Sequence, residues 1–178
     1  FSIIKNKEKK WALKNVVETS RKFQNDPDVI IANLDGDDAL CNEKTVDILL
    51  SNYDNETDTL WTSHSWDING LNISKELPEK INPYQCPWCT SHLKTFRATL
   101  LKNISDKNFK DLDENWFKRG YDQALYLPLL YKSRKRKYVN EICYLYRINS
   151  SSMKVRDWSE KSQTDTVRLV RSRGFVDG

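Results

Sequence analysis

The stretch Asp28-Val-Ile-Ile-Ala-Asn-Leu-Asp-Gly-Asp-Asp-Ala-Leu40 decides how this chain is read. Val29 to Ala32 form a short apolar run, mostly β-branched, the pattern of a strand buried on both faces of a parallel or mixed sheet. The run ends in Asp35, Asp37 and Asp38 around Gly36. Carboxylates this close repel one another, and burying an uncompensated anion is costly. A divalent cation at the strand's end removes that cost. Mg²⁺ and Mn²⁺ take one or two protein carboxylates and leave their other positions to phosphate oxygens and water. A solvated Asp-Gly turn is the alternative. The buried strand leading into it favours the metal, because ligands of open α/β sheets gather at the carboxyl ends of strands.

Upstream, Leu13, Val16 and Val17 recur at helical spacing from Lys10 to Phe23, and Asn25-Asp-Pro27 ends the pattern. Downstream, Asn42 or Thr45 caps a second helix running through Leu50. Leu60 to Trp66 alternates as a strand with His64 on one face, and residues 67–85 read as a loop broken by Asn69-Gly70, Pro78 and Pro83. From Ser91 to Leu101, Leu93, Phe96, Leu100 and Leu101 fall on one helical stripe. Residues 102–120 are polar and irregular, anchored by Phe109, Trp116 and Phe117. An apolar helix led by Asp122 spans Tyr121 to Tyr131, Ser133 to Lys137 is a basic turn, and Tyr138 to Tyr146 is a strand. A last helix is expected near residues 157–173. Alternating helix and strand point to the α/β class. No repeat or low-complexity linker divides residues 1–178, so one domain is expected, with a core over 8–150 and a helical tail over 151–178.

Composition sets the outer bounds. With 38% hydrophobic and 30% charged residues, a single core fits beneath a very polar surface, and 11% aromatic residues argue against disorder. A net charge of +4 suits an anionic ligand without implying nucleic acid. No apolar run is long enough to cross a bilayer and no signal peptide is visible, so a cytoplasmic location is the default. The chain starts with Phe1, which leads us to expect a trimmed piece of something longer.

Cys86-Pro-Trp-Cys89 with His92 has the spacing of a zinc knuckle or a redox pair. A closed zinc site needs a second Cys/His pair, and only the isolated Cys41, His64 and Cys143 remain. The motif sits in a Pro-rich loop, where a redox pair would follow a strand and open a helix. Free thiols or an incidental disulfide are the preferred reading.

Taken together, the chain resembles a family 2-type glycosyltransferase of the GT-A fold. Leu34-Asp-Gly-Asp-Asp38 is similar to that family's DxD motif, Ser91-His-Leu-Lys-Thr-Phe-Arg97 looks like one subgroup's loop passing into a helix, and Asp122-Gln-Ala-Leu-Tyr-Leu-Pro-Leu-Leu130 is similar to its acid-led helix. Tyr144-Leu-Tyr-Arg-Ile-Asn149 resembles the closing strand.

The resemblance implies a GT-A-like (Rossmann-like) mixed sheet flanked by helices, N-terminally truncated because most of the nucleotide-binding strand–helix–strand unit is missing. It also implies transfer from a nucleotide-sugar donor, a UDP-sugar in this reading, to a carbohydrate or other hydroxyl acceptor, with Mn²⁺ or Mg²⁺ held by Asp37 and Asp35. Asp35, Asp37, Asp38 and Lys14 are the implied donor-binding residues. Asp122 is the implied general base of an inverting displacement, and His92, Trp88 and Arg97 the implied lining of the sugar or acceptor pocket. Another chain or a missing segment would complete the N-terminal half. No late His ligand is evident, since the corresponding residues are Arg147-Ile-Asn149. The alternatives are a non-catalytic sugar- or nucleotide-binding domain, a zinc-knuckle interaction module, and two-metal phosphoryl chemistry near a nucleic acid.

Overall fold

In a computed structural model, which describes residues 2–148 and 156–178, the chain is an α/β fold built on one mixed five-stranded sheet. Its elements in order are α1 (Trp11–Arg21), β1 (Ile30–Asn33), β2 (Ala39–Leu40), α2 (Thr45–Asn52), β3 (Thr57–Trp66), β4 (Lys94–Arg97), α3 (Tyr121–Lys132), β5 (Lys135–Tyr146) and α4 (Arg156–Arg173). Short 3₁₀ turns cover Pro83–Gln85, Ala98–Asn103 and Asp106–Phe109. The strand order is β1-β4-β3-β5-β2, with β3 and β5 parallel and every other pair antiparallel. Residues 149–155, where the expected core passes into the tail, lie outside the described residues, and Asn149 of the expected closing strand is among them.

Period-two alternation sends the sheet's side chains to two cores. Trp61 and Phe96 face α1 and α3, where Leu13, Val17, Leu125 and Leu129 are completely buried. Leu60, Leu93 and Tyr144 face α2 and pack on its Leu49. The loop after β3 is tied down by the indole of Trp61, which donates to the Lys75 carbonyl at 2.9 Å. No helix among the described residues is long and apolar enough to cross a membrane.

Three expectations need correction. The strand before the acidic turn is not buried on both faces at the sheet's centre. β1 is an edge strand paired only with β4; its residues are half-buried and Ala32 is exposed. A run of apolar residues reports affinity for a sheet and says nothing of how many neighbours the strand will have. Ser91 to Leu101 is not one helix. Lys94–Arg97 is inserted between β1 and β3 as β4, and a 3₁₀ turn then carries Leu100 and Leu101 into the core. Leu93 and Phe96 have a helical spacing of three that a strand sends to opposite faces, one to each core, and the two flanking strands, each needing a backbone partner, decided for the strand. The basic run is a turn only at Ser133 and Arg134; β5 already begins at Lys135. Its cations are paired separately, Arg134 with Asp58 at 2.8 Å and Lys135 with Asp54 at 2.6 Å.

Candidate functional site

The site is built where β1 ends. The chain turns back at once, with the Asp38 N–H donating to the Asp35 carbonyl at 3.1 Å. β5 arrives beside this turn and supplies Tyr144, whose hydroxyl donates to the Asp38 carboxylate at 2.6 Å and accepts from the Asp35 backbone N–H at 3.2 Å. The backbone N–H of Arg147 holds the other Asp38 oxygen at 2.8 Å. Tyr121, the first residue of α3, donates its hydroxyl to the Asp35 carboxylate at 2.5 Å. Two acids of the turn are thus oriented by groups from β5 and α3.

His92 enters from the residues just before β4. Its ring stacks on Tyr144 with centroids 4.6 Å apart and on Tyr146 at 5.3 Å. One candidate ligand atom each from Asp35, Asp38 and His92 lies within 4.8 Å of the others, a spacing that can hold a cation. Burial, helped by the nearby Lys94 ammonium, pushes the His92 imidazole down to about 3, so it is neutral and keeps a lone pair at neutral pH. Burial also raises the Asp35 carboxyl; the Tyr121 hydrogen bond opposes this, while the Asp122 and Asp38 charges add to it. The Lys94 ammonium opposes that rise in part. Asp37 lies exposed on the same turn and outside this trio.

Asp122 does not cap its helix. The cap of α3 is Gly120, and the Asp122 carboxylate instead pairs with Lys94, a lysine whose side chain is only 2% exposed. Burial pushes the Asp122 carboxyl up, but the Lys94 ammonium outweighs it, and the group is held below the usual carboxylate range. The Lys94 ammonium also lies 5.2 Å from the Tyr126 ring centroid and 5.9 Å from that of Trp88. Lys94, Asp122, His92 and Trp88 line one cavity of about 190 Å³, with Trp66 and Tyr146 on its wall. A second, larger space of about 340 Å³ runs between α1 and β1 and reaches Asp35 and Tyr121.

Of the residues singled out in the sequence, Asp35, Asp38, His92, Trp88 and Asp122 thus gather around one corner of the sheet. Lys14 and Arg97 do not join them. Lys14 lies 3.8 Å from Glu18 and over the Trp116 ring, while its neighbour Asn15 lines the groove beside α1. Arg97 stands at the far end of β4, where its guanidinium donates to the carbonyls of Thr57, Pro27 and Asp54 and stacks on Tyr53. The four thiols are free, and Cys86 and Cys89 belong to no metal-capable group among the described residues.

Lys94, Tyr144 and Trp66 were missed by sequence reasoning, and so was the bond from Tyr121, expected only to shelter Asp122, to the Asp35 carboxylate. The two tyrosines carry no signal beyond their rank in a strand or helix. Lys94 does carry one, since once Lys94–Arg97 is read as a strand it shares a face with the buried Phe96. Comparison with family models and with curated proteins finds no match for this chain.

Proposed function

We propose that this protein is a metal-dependent glycosyltransferase of the GT-A type, moving a sugar from a nucleoside-diphosphate donor, a UDP-sugar in our reading, to an acceptor hydroxyl. One observation carries the proposal: Asp35, Asp38 and His92 converge at the carboxyl end of β1, beside a cavity that holds a paired carboxylate, Asp122.

The donor set of two carboxylates and a neutral imidazole fits a divalent cation, and the nitrogen tips the choice from Mg²⁺ toward Mn²⁺. When bound, such an ion supplies positive charge against the diphosphate as it leaves. Tyr144 and the Arg147 N–H fix the rotamer of Asp38, and Tyr121 fixes that of Asp35, the outer support a metal site requires. The groove between α1 and β1 has the position to take the nucleoside.

In the cavity, Asp122 accepts the proton of the acceptor hydroxyl. The acceptor oxygen then bonds to the anomeric carbon, and the bond from that carbon to the phosphate oxygen breaks with its electron pair leaving on the diphosphate. Direct displacement of this kind inverts the anomeric centre. Lys94 keeps Asp122 ionised and in place between turnovers.

Calorimetric titration of the chain with UDP, with and without Mn²⁺, tests the reading. Binding that needs Mn²⁺ and is lost in Asp38→Asn is the expected result. Absence of binding to every nucleoside diphosphate tried, with the metal present, overturns it.

A further inference from the structure

The cavity beside Asp122 has a roof from an unexpected quarter. Gln163 and Val167 of α4, the helix of the C-terminal tail, line it together with residues of β3, β5 and α3. α4 is fastened there. Arg171 donates to the Gln123 side chain at 2.6 Å and to the carbonyls of Tyr84 and Cys86 at 3.0 and 2.6 Å, which clamps α4 to α3 and to the loop that carries Trp88. The approach is close: a Cβ at Gly120 would lie 3.2 Å from the Gln163 carbonyl oxygen and from the Thr166 methyl.

Size, wall chemistry and charge together restrict what fits. At about 190 Å³ the cavity lies below the roughly 300 Å³ at which sites for drug-sized ligands begin. It has room for one ring with its substituents and none for two. Trp66, Trp88 and Tyr146 give flat apolar faces, the surfaces on which the C–H face of a pyranose packs. Gln123, Gln163 and Ser91 supply polar atoms between those faces. The charged side chains of the lining, Lys94 and Asp122, are already paired with each other, so a charged ligand would lose its hydration without gaining a free counter-charge.

We infer that this cavity is a site for a single uncharged pyranose ring, closed on one side by α4; the inference rests on the glycosyl-transfer reading for the class of its ligand. The ring is either the terminal residue of the acceptor or the sugar of the donor. Either way, α4 belongs to the site and limits it to one ring.

Ligand-observed NMR on the full chain tests this with the methyl glycosides of glucose, galactose, mannose and N-acetylglucosamine, methyl glucuronide as the charged probe, and UDP with Mn²⁺ in a parallel titration. At least one neutral methyl glycoside is expected to bind saturably, and methyl glucuronide at least about tenfold more weakly. Val167→Trp fills the cavity from the roof and is expected to cost at least about tenfold in glycoside affinity while UDP binding stays unchanged; Gln163→Ala, a milder change on an exposed position, is expected to weaken the glycoside severalfold. Glycoside binding that persists with the UDP-sugar and Mn²⁺ bound assigns the ring to the acceptor, and displacement by the UDP-sugar but not by UDP assigns it to the donor. Equal binding of the glucuronide, unchanged glycoside binding in folded Val167→Trp, or binding of UDP with no glycoside bound overturns the inference and leaves the transferase reading in place. Glycoside binding without any nucleotide binding sustains the cavity's assignment and overturns the transferase reading.

Discussion

The ammonium of Lys94 is paired with the carboxylate of Asp122 from a position on the core face of β4, two residues from the fully buried Phe96. A cation so placed depends on its partner, whereas Asp122 keeps a third of its side-chain surface in the cavity. Asp122→Asn, which strands the buried ammonium, is therefore expected to cost about 3 kcal/mol. Lys94→Met, which strands only the partly solvated acid, is expected to cost about 1 kcal/mol. The double variant should be more stable than the sum of the two losses implies. Urea denaturation of all four proteins gives the coupling, and additive losses would show that the pair is not an energetic unit.

Tyr144→Phe removes one hydroxyl that serves both acids of the turn. The fold should survive with a loss of about 1 kcal/mol. Mn²⁺-dependent nucleotide binding should weaken by about 10- to 100-fold, the usual effect of losing an outer-shell partner. Titration of Mn²⁺ at fixed UDP measures this, and unchanged affinity would remove Tyr144 from the site.

Arg97 has the opposite expected profile. Its guanidinium closes three backbone carbonyls at the end of the sheet remote from the cavity. Lysine cannot reproduce that fork, so Arg97→Lys should lose about 2 kcal/mol of stability. Ligand binding at a temperature where the variant is folded should not change. A selective loss of sugar or nucleotide affinity would return Arg97 to the site.

His64 predicts an acid-sensitive fold. It is 1% exposed, its Nδ1 lies 3.2 Å from the Ser74 hydroxyl, and its Nε2 has no hydrogen-bond partner among the described residues. Burial, then the Lys94 ammonium, lowers its pKa from 6.5 to about 4. The unfolded chain therefore binds the proton first. The full stability contribution is present above pH 6.5, falls as the pH drops toward 4, and changes no further below that; the loss is up to about 3 kcal/mol. His64→Gln should flatten this part of the stability–pH profile, and a variant with the wild-type slope between pH 6.5 and 4.5 would assign the effect to other groups.

Gly120 combines two constraints at the start of α3. Its φ of +66° lies in the left-handed region, and a Cβ there would press on α4 at 3.2 Å. Gly120→Ala should lower stability by about 2 kcal/mol. Thermal unfolding measures it, and an unshifted midpoint would mean that α4 yields easily.

What was legible in the sequence follows from where the information lies. The helical spacing of Leu13 and Val17 and the apolar run after Asp122 are local, and they located α1 and α3. The alternation of Tyr138 to Tyr146 likewise marked β5. β4 was illegible because Leu93, Phe96, Leu100 and Leu101 satisfy a helical stripe as well as a strand and a turn, and only its neighbours in the sheet arbitrate. The acids at Asp35 and Asp38 were visible as a cluster, but their partners Tyr121 and Tyr144 stand 86 and 106 positions away. No local pattern records such a pairing. His92 stood out as a histidine beside a Cys-x-x-Cys spacing, and the fold turns it toward the acids through its stacking on Tyr144 and Tyr146.

That separation along the chain has a kinetic consequence. The contacts of Asp38 with Tyr144 and with Arg147 span 106 and 109 positions, so long loops must close before the Asp38 carboxylate is held in place. A partly folded chain with α1 and β1 formed has the acids without their orientation. Any ligand of the site therefore recognises only the complete native topology. Its binding free energy adds in full to global stability, about 2.7 kcal/mol at a hundredfold excess over Kd. On the transferase reading, Mn²⁺-dependent binding is expected to recover during refolding only once β5 has docked onto the acidic turn, later than the return of helical signal.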